Sequence, residues 1–313
     1  MNDILFGNNN RPIIKKLSRR YFKASKSRNI IAIVAIILTT VLFTTIFTLG
    51  SGLIDTVQDQ NIRRMGGDGQ AVLNYISDEV FDDVKDNELI DRIAYTKAVS
   101  YHLNNPGLAK WRSDMWYMDD TALEFARYEP TTGHRPEAEN EIIADTKTLE
   151  ALGVPAEIGA TVTLNYEIKG KEYTTDFELC GFWETDSLSN IGRIIVSKAF
   201  IDNHADLLTY TYPVDNDYSG VVTAYIMFRG GGSVEEKLQQ LLTETGYTCD
   251  TLGGQPTDEN YIIARVSPAY QSSPISENPA LFIVGIVGIL TIMATGYLII
   301  YNIFQISVIQ DIQ

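Results

Sequence analysis

Residues 140–183 read NEIIADTKTLEALGVPAEIGATVTLNYEIKGKEYTTDFELCGFW. Glu141–Ala144 is a short apolar run of strand type, and Thr146–Leu152 follows as a helix that Gly153 stops. In Ala160–Ile168 the residues Val162, Leu164, Tyr166 and Ile168 recur at period two, the mark of a half-buried strand. Lys169-Gly170 then makes a tight turn, and Tyr173–Trp183 pairs back as a hairpin. A strand, a helix and an antiparallel hairpin in direct succession predict an α+β domain.

The same grammar continues on both sides. Towards the C-terminus, Arg193–Ser197 reads as a strand and Lys198–Asn203 as a helix. Gly220–Phe228 is apolar on both faces, as a central, covered strand would be. Ser233 and Glu236 form a capping box for a helix over Val234–Thr245. Leu238, Leu241 and Leu242 are its buried stripe and Gly246 its end. Towards the N-terminus, Gln70–Ile76 and Arg92–Tyr101 read as strands. Between them Ser77 caps a helix over Asp78–Lys85, whose first turn carries acids where the helix dipole favours them. No internal repeat is visible.

Farther out the composition changes. The mean hydropathy of the chain is close to zero, yet residues 29–54 and 278–310 contain no Asp, Glu, Lys or Arg. About 20 apolar helical residues cross a hydrocarbon core of about 30 Å. Ile30–Leu49 and Pro279–Phe304 both reach that length. The first is read as an uncleaved signal anchor, because no small-x-small cleavage site follows it. Gly52–Met65 spaces Leu53, Ile54, Val57, Ile62 and Met65 along one helical face, as a stalk continuing that helix. Thr40, Thr44 and Thr48 line one face of the first span. Gly285, Gly288 and Thr295 share a face of the second, with Gly296 beside them. Small and hydroxyl residues let membrane helices approach closely, although both types are common in such helices in any case.

Charge orients this arrangement. Residues 1–29 carry Arg11, Lys15, Lys16, Arg19, Arg20, Lys23, Lys26 and Arg28 against the single acid Asp3, a net of +7, within a chain of net charge −15. A basic flank beside the first span keeps the N-terminus cytoplasmic. The segment between the spans has a net charge of −21, which argues against nucleic acid and anionic lipid as its partners. The expected organisation is therefore a basic cytoplasmic N-terminus (1–29), a first transmembrane helix (30–54), an extracytoplasmic α+β domain with its stalk (55–278), a second transmembrane helix (279–304) and a cytoplasmic tail (305–313).

Catalytic constellations do not emerge. His102, His134 and His204 stand alone in sequence, with no second ligand at metal spacing and no H-E-x-x-H pair. No G-x-S-x-G elbow is present. Asp82, Asp83, Asp86, Glu88 and Asp91 lack calcium-loop spacing and read as a solvated helix face. Gly170-Lys171 is followed by Glu, so no P-loop exists to cradle ATP. No cofactor and no metal is expected. Cys180 and Cys249 are too few for a disulfide framework; an exported pair could still form one bridge, but packing of Cys180 as a small hydrophobe in the strand-like run Phe177–Trp183 is the stronger reading. Tyr210, Tyr212 and Tyr218 crowd the segment 209–220, where partner contact and half-buried packing both remain open.

One group of residues forms a recognisable pattern. Gly133-His134-Arg135-Pro136 is followed by Asn140-Glu141-Ile142-Ile143, a helix ending in Leu152-Gly153, and Ile158-Gly159-Ala160-Thr161-Val162-Thr163-Leu164. This resembles the extracytoplasmic domain of FtsX/MacB-like ABC transporter permeases, with its G-x-x-P … N-E-I segment, L-G and G-x-x-V-x-L. Phe177–Phe182 and Ile194–Ser197 resemble the strands that follow. Gly133, Pro136, Asn140, Glu141, Gly153 and Gly159 are then expected to be fold positions, not ligand positions. The resemblance implies a separate ABC ATPase, pairing of permeases as a homo- or heterodimer, contact with membrane lipid, and export or efflux of peptide, lipid or drug-like substrates. Such permeases have at least four spans, so the chain is expected to be an N-terminal part of a longer one. The alternative is a two-span sensor or receptor with an extracytoplasmic ligand-binding domain. A membrane-anchored surface enzyme has no catalytic set behind it.

Overall fold

The computed structural model describes residues 11–24, 33–34, 36–45, 47–48, 67–186, 189–211, 217–271, 286–290 and 292–297, with single helical positions at 26, 30, 52, 56, 59 and 301; residues 36–45 are helical throughout. The chain divides into two compact units, Met1–Thr56 with Ser273–Gln313, and Val57–Ser272.

In the first unit, helix α1 (Arg11–Ala24) carries Lys23 in its last turn, where the helix dipole favours a base, but no acid in its first. Ile13, Ile14, Leu17 and Phe22 are exposed along it. Among the described residues no helix is long and apolar enough to cross a membrane. Much of the expected spans 30–54 and 279–304, nearly all of the stalk 52–65 and the whole tail 305–313 lie outside the described residues.

The second unit is a mixed sheet of ten strands: β1 (Ala71–Ile76), β2 (Ile90–Ser100), β3 (Ser113–Met118), β4 (Thr132–Gly133), β5 (Glu141–Asp145), β6 (Thr161–Ile168), β7 (Lys171–Trp183), β8 (Gly192–Val196), β9 (Val222–Phe228) and β10 (Ile263–Val266). Their spatial order is β10-β1-β9-β2-β3-β8-β5-β7-β4, with β6 also on β7. The pairs β3–β8 and β5–β7 are parallel, and the other pairs are antiparallel. Five helices attend the sheet: α2 (Asp78–Lys85), α3 (Asp120–Ala126), α4 (Thr146–Leu152), α5 (Lys198–Asn203) and α6 (Val234–Thr245).

Local chemistry sets most boundaries. Ser77, Ser197 and Ser233 each accept a hydrogen bond from the backbone N–H three residues on, which starts α2, α5 and α6. Gly153 and Gly246 end α4 and α6 in the left-handed conformation. The β6–β7 hairpin turns on Lys169 and Gly170, both at positive φ, as a two-residue loop that follows strand twist requires. β9 lies between β1 and β2 with five of its seven residues buried, which makes it the covered central strand.

Among the described residues, the two largest of four core clusters pack helices against the sheet. Leu73, Ile76, Ala224 and Ile226 bury against Val84 of α2 and Leu238, Leu241 and Leu242 of α6. Ile142, Val162, Leu164, Phe177 and Ile194 bury against Leu149 of α4 and Phe200 and Ile201 of α5. The short strands β4 and β10, the strand β3 and helix α3 have no counterpart in the sequence reading.

Candidate functional site

The residues of the N-E-I pattern meet on one stretch of β7. Gly133 pairs with Gly181 across β4–β7. At φ +87° a Cβ on Gly133 would sit 2.1 Å from the Cys180 carbonyl oxygen and 2.7 Å from Ile158 Cδ1, so only glycine fits. The Asn140 carbonyl accepts from Glu178 N at 2.7 Å, and Gly159 N donates to Leu179 O at 2.8 Å. Glu141 turns its carboxylate back on its own loop, accepting from Glu137 N at 2.8 Å and Ala138 N at 2.9 Å. Pro136 stands in the loop between these anchors, half-buried. Gly153 belongs elsewhere, at the end of α4, with nothing within 4 Å of its Cβ position. Gly133, Asn140 and Gly159 act here through backbone geometry, and Glu141 through its carboxylate as well.

The same convergence places three metal-type side chains together. Ligand atoms of His134, Glu141 and Cys180 lie within 4.8 Å of one another. His134, isolated by sequence spacing, is therefore not alone: the β4–β7 pairing carries it to Cys180, whose carbonyl accepts from His134 N at 3.0 Å. The other histidines differ. His204 stacks on Phe200 at 4.3 Å with Nδ1 2.8 Å from the Phe200 carbonyl oxygen, and His102 lines a cleft described below. Cys180 and Cys249 are both free thiols, buried in different core clusters. Burial first, then the nearby Glu141 charge, pushes the Cys180 thiol up to about 12. For Glu141, partial burial pulls the carboxyl upward, but the hydrogen bonds from Ala138 and Glu137 outweigh it and hold the group below its ordinary value.

A second feature is a cleft of about 540 Å³ lined by Tyr75, Tyr101, His102, Asn104, Arg112 and Tyr218, among others. Tyr218 packs against Tyr75 at 5.0 Å and Tyr101 at 4.7 Å between ring centroids. Tyr210 is exposed and donates its hydroxyl to the Tyr75 carbonyl at 3.2 Å. Tyr212 lies outside the described residues. Tyr75 itself has φ 57°, a left-handed conformation that costs an aromatic residue energy, where the β1–β9 register breaks. Beside the cleft, buried Asp114 accepts from Arg193 Nη1 at 2.6 Å and Arg112 Nε at 3.2 Å. Burial raises the Tyr101 hydroxyl, and the Asp114 charge adds to it. The cleft offers ring faces, amide groups and a paired guanidinium, which is binding chemistry.

Of the five acids expected to share a solvated helix face, only Asp82 and Asp83 lie on α2, where Asp82 pairs with Lys85 at 2.6 Å and Asp83 accepts from the Tyr247 hydroxyl at 2.6 Å. Asp86 is the C-cap, Glu88 sits in the turn that follows and Asp91 is on β2, all three exposed, because the helix stops at Lys85.

Of the residues expected to pack the spans, Thr40 and Thr44 donate their hydroxyls to Ile36 O and Thr40 O at 2.8 and 2.9 Å. This is how threonine satisfies itself on a helix. Thr48 and Thr295 are exposed helical positions, and Gly288 has nothing within 4 Å of its Cβ position. Gly285 lies outside the described residues. The close approach occurs at Gly296, buried, where a Cβ would meet Thr39 Cγ2 at 3.3 Å.

No family model matches the sequence, and no curated protein matches it. Solved structures similar to the chain include the extracellular domain of the noncanonic ABC-type transporter YknZ from Gram-positive bacteria. It is 11% identical with a TM-score of 0.37, and the match covers 62% of this chain and 99% of that one. Another is the periplasmic region of MacB from Actinobacillus actinomycetemcomitans, 11% identical with a TM-score of 0.38, covering 65% of this chain and 91% of that one. Likeness at this level decides neither family nor function.

Proposed function

We propose that the chain is a permease component of an FtsX/MacB-type ABC transporter. Its acidic sheet domain stands outside the cytoplasmic membrane between two spans. A separate ATPase drives its motion, and a second permease completes the assembly. The observation that carries this reading is the convergence of Gly133, Asn140, Glu141 and Gly159 on Glu178–Gly181. Residues quoted from one linear pattern meet at one place in the sheet, which supports reading the pattern as a framework. The basic flank at 1–29 and the charge-free runs 29–54 and 278–310 support the topology. The net charge of −21 outside favours cationic clients over nucleic acid or anionic lipid.

Native mass spectrometry of the complex, extracted from its own membranes in mild detergent, tests the reading. The expected result is a stoichiometric companion carrying G-x-x-x-x-G-K-[ST], with ATP hydrolysis that disappears when the two are separated. A chain that comes out alone, or joined to a kinase-type output domain, would overturn it in favour of a receptor using the tyrosine cleft.

A further inference from the structure

We infer that His134, Glu141 and Cys180 form a binding site for one borderline divalent cation of the zinc type. Three observations support this independently of the permease reading. First, the donor set is the one such ions select. A thiolate, an imidazole and a carboxylate from three points of the chain meet within 4.8 Å, and sulfur with nitrogen excludes calcium and magnesium as the preferred ions. Bonds of about 2.0–2.3 Å draw the three atoms together by roughly 1 Å. The exposed His134 ring, on a loop beside β4, is free to make that movement.

Second, the supporting contacts are those of a ligand shell. The Nδ1 of His134 lies 2.8 Å from the Arg135 carbonyl oxygen. A carbonyl only accepts, so Nδ1 carries the proton and the lone pair resides on Nε2. Glu141 receives both backbone N–H groups on Oε2, and no described residue hydrogen-bonds Oε1. The carboxylate is thus oriented with one oxygen left over. Cys180 Sγ sits 3.3 Å from Ile142 O, a weak thiol contact that metal binding would replace. His134 is fixed along the backbone by the pairing of Gly133 with Gly181.

Third, the charge balances. Binding M²⁺ breaks the Cys180 S–H bond and forms an M–S bond, with the proton passing to water. Thiolate and carboxylate then cancel the two positive charges with imidazole neutral. A neutral centre suits a place where Cys180 is buried and Glu141 half-buried. Three protein ligands leave a fourth position for water. The ion would tie β4, the 134–141 loop and the centre of β7 into one unit.

The test uses the full chain in detergent, stripped with chelator and titrated with Co²⁺. The proposal expects one equivalent bound, a near-ultraviolet sulfur-to-cobalt charge-transfer band, and loss of that band on adding Zn²⁺. Cys180→Ser should abolish the band, His134→Gln and Glu141→Gln should weaken binding at least tenfold, and Cys249→Ser should change nothing. If Cys180→Ser fails to fold, His134→Gln, at an exposed side chain, carries the test. Absence of the band, binding that survives His134→Gln unchanged, or loss of the band in Cys249→Ser would each overturn it.

Discussion

Gly133 and Gly159 are both glycines at positive φ in the same pattern, and they are held for different reasons. At Gly133 an added methyl collides with the Cys180 carbonyl as well as adopting a disfavoured φ; at Gly159 nothing lies within 4 Å. Gly159→Ala should therefore cost about 1 kcal/mol through φ alone, and Gly133→Ala about 3 kcal/mol or more. Chemical denaturation followed by near-ultraviolet circular dichroism would separate the two. Glu141 makes a pH prediction. Its carboxyl is held below its ordinary value in the fold, so its contribution is fully present above that ordinary value and fades as pH falls through the depressed one. Glu141→Gln should flatten the loss of stability on acidification in that window, measured as Tm against pH. The sequence pattern led to the expectation that Gly133, Asn140, Glu141 and Gly159 are fold positions. It could not show that His134 and Cys180 join them, because that contact depends on strand pairing between residues 46 apart.

At the scale of elements, what could be read was what carries its own signal. Helices α2, α4, α5 and α6 have serine caps, glycine stops or apolar stripes, and the hairpin β6–β7 alternates around a two-residue turn. β3 was invisible for a physical reason. It holds Asp114 at the heart of a buried run, tolerable only because Arg193 and Arg112 reach it from elsewhere. β10 has four residues, one of them Arg265, too short to show a period, and α3 ends on Arg127 in the left-handed conformation, where no glycine marks the stop. The cap of α4 lies between these cases. Asp145 separates the strand and helix in the sequence, but only the structure shows its carboxylate accepting from Thr148 N, Thr148 Oγ1, Thr185 Oγ1 and Arg193 N. It joins α4 to β8 and to the loop after β7. Asp145→Ala leaves several buried donors without a partner and should cost about 3 kcal/mol or more, well beyond the roughly 1 kcal/mol of an ordinary cap. Thermal unfolding of the variant beside Ser233→Ala, which removes an exposed cap on α6, would show the difference.

At the scale of the whole molecule, the α+β class followed from the order of elements, while the sheet order did not. Nothing local announces that β9 returns between β1 and β2, or that β8 lies parallel to β3. Charge distribution, by contrast, is a global property open to direct reading: a +7 flank, two charge-free runs and a −21 domain between them. For the proposed permease, that domain has to lie outside the cytoplasmic membrane. The most direct measurement is labelling by a membrane-impermeant maleimide in spheroplasts of cells making single-site variants, with the unsubstituted chain, whose two cysteines are buried, as the blank. Glu172→Cys, exposed beside the hairpin turn, should label in intact spheroplasts, and Lys16→Cys should label only after lysis. Lys16→Cys labelling in intact spheroplasts while Glu172→Cys stays silent until lysis would contradict the account.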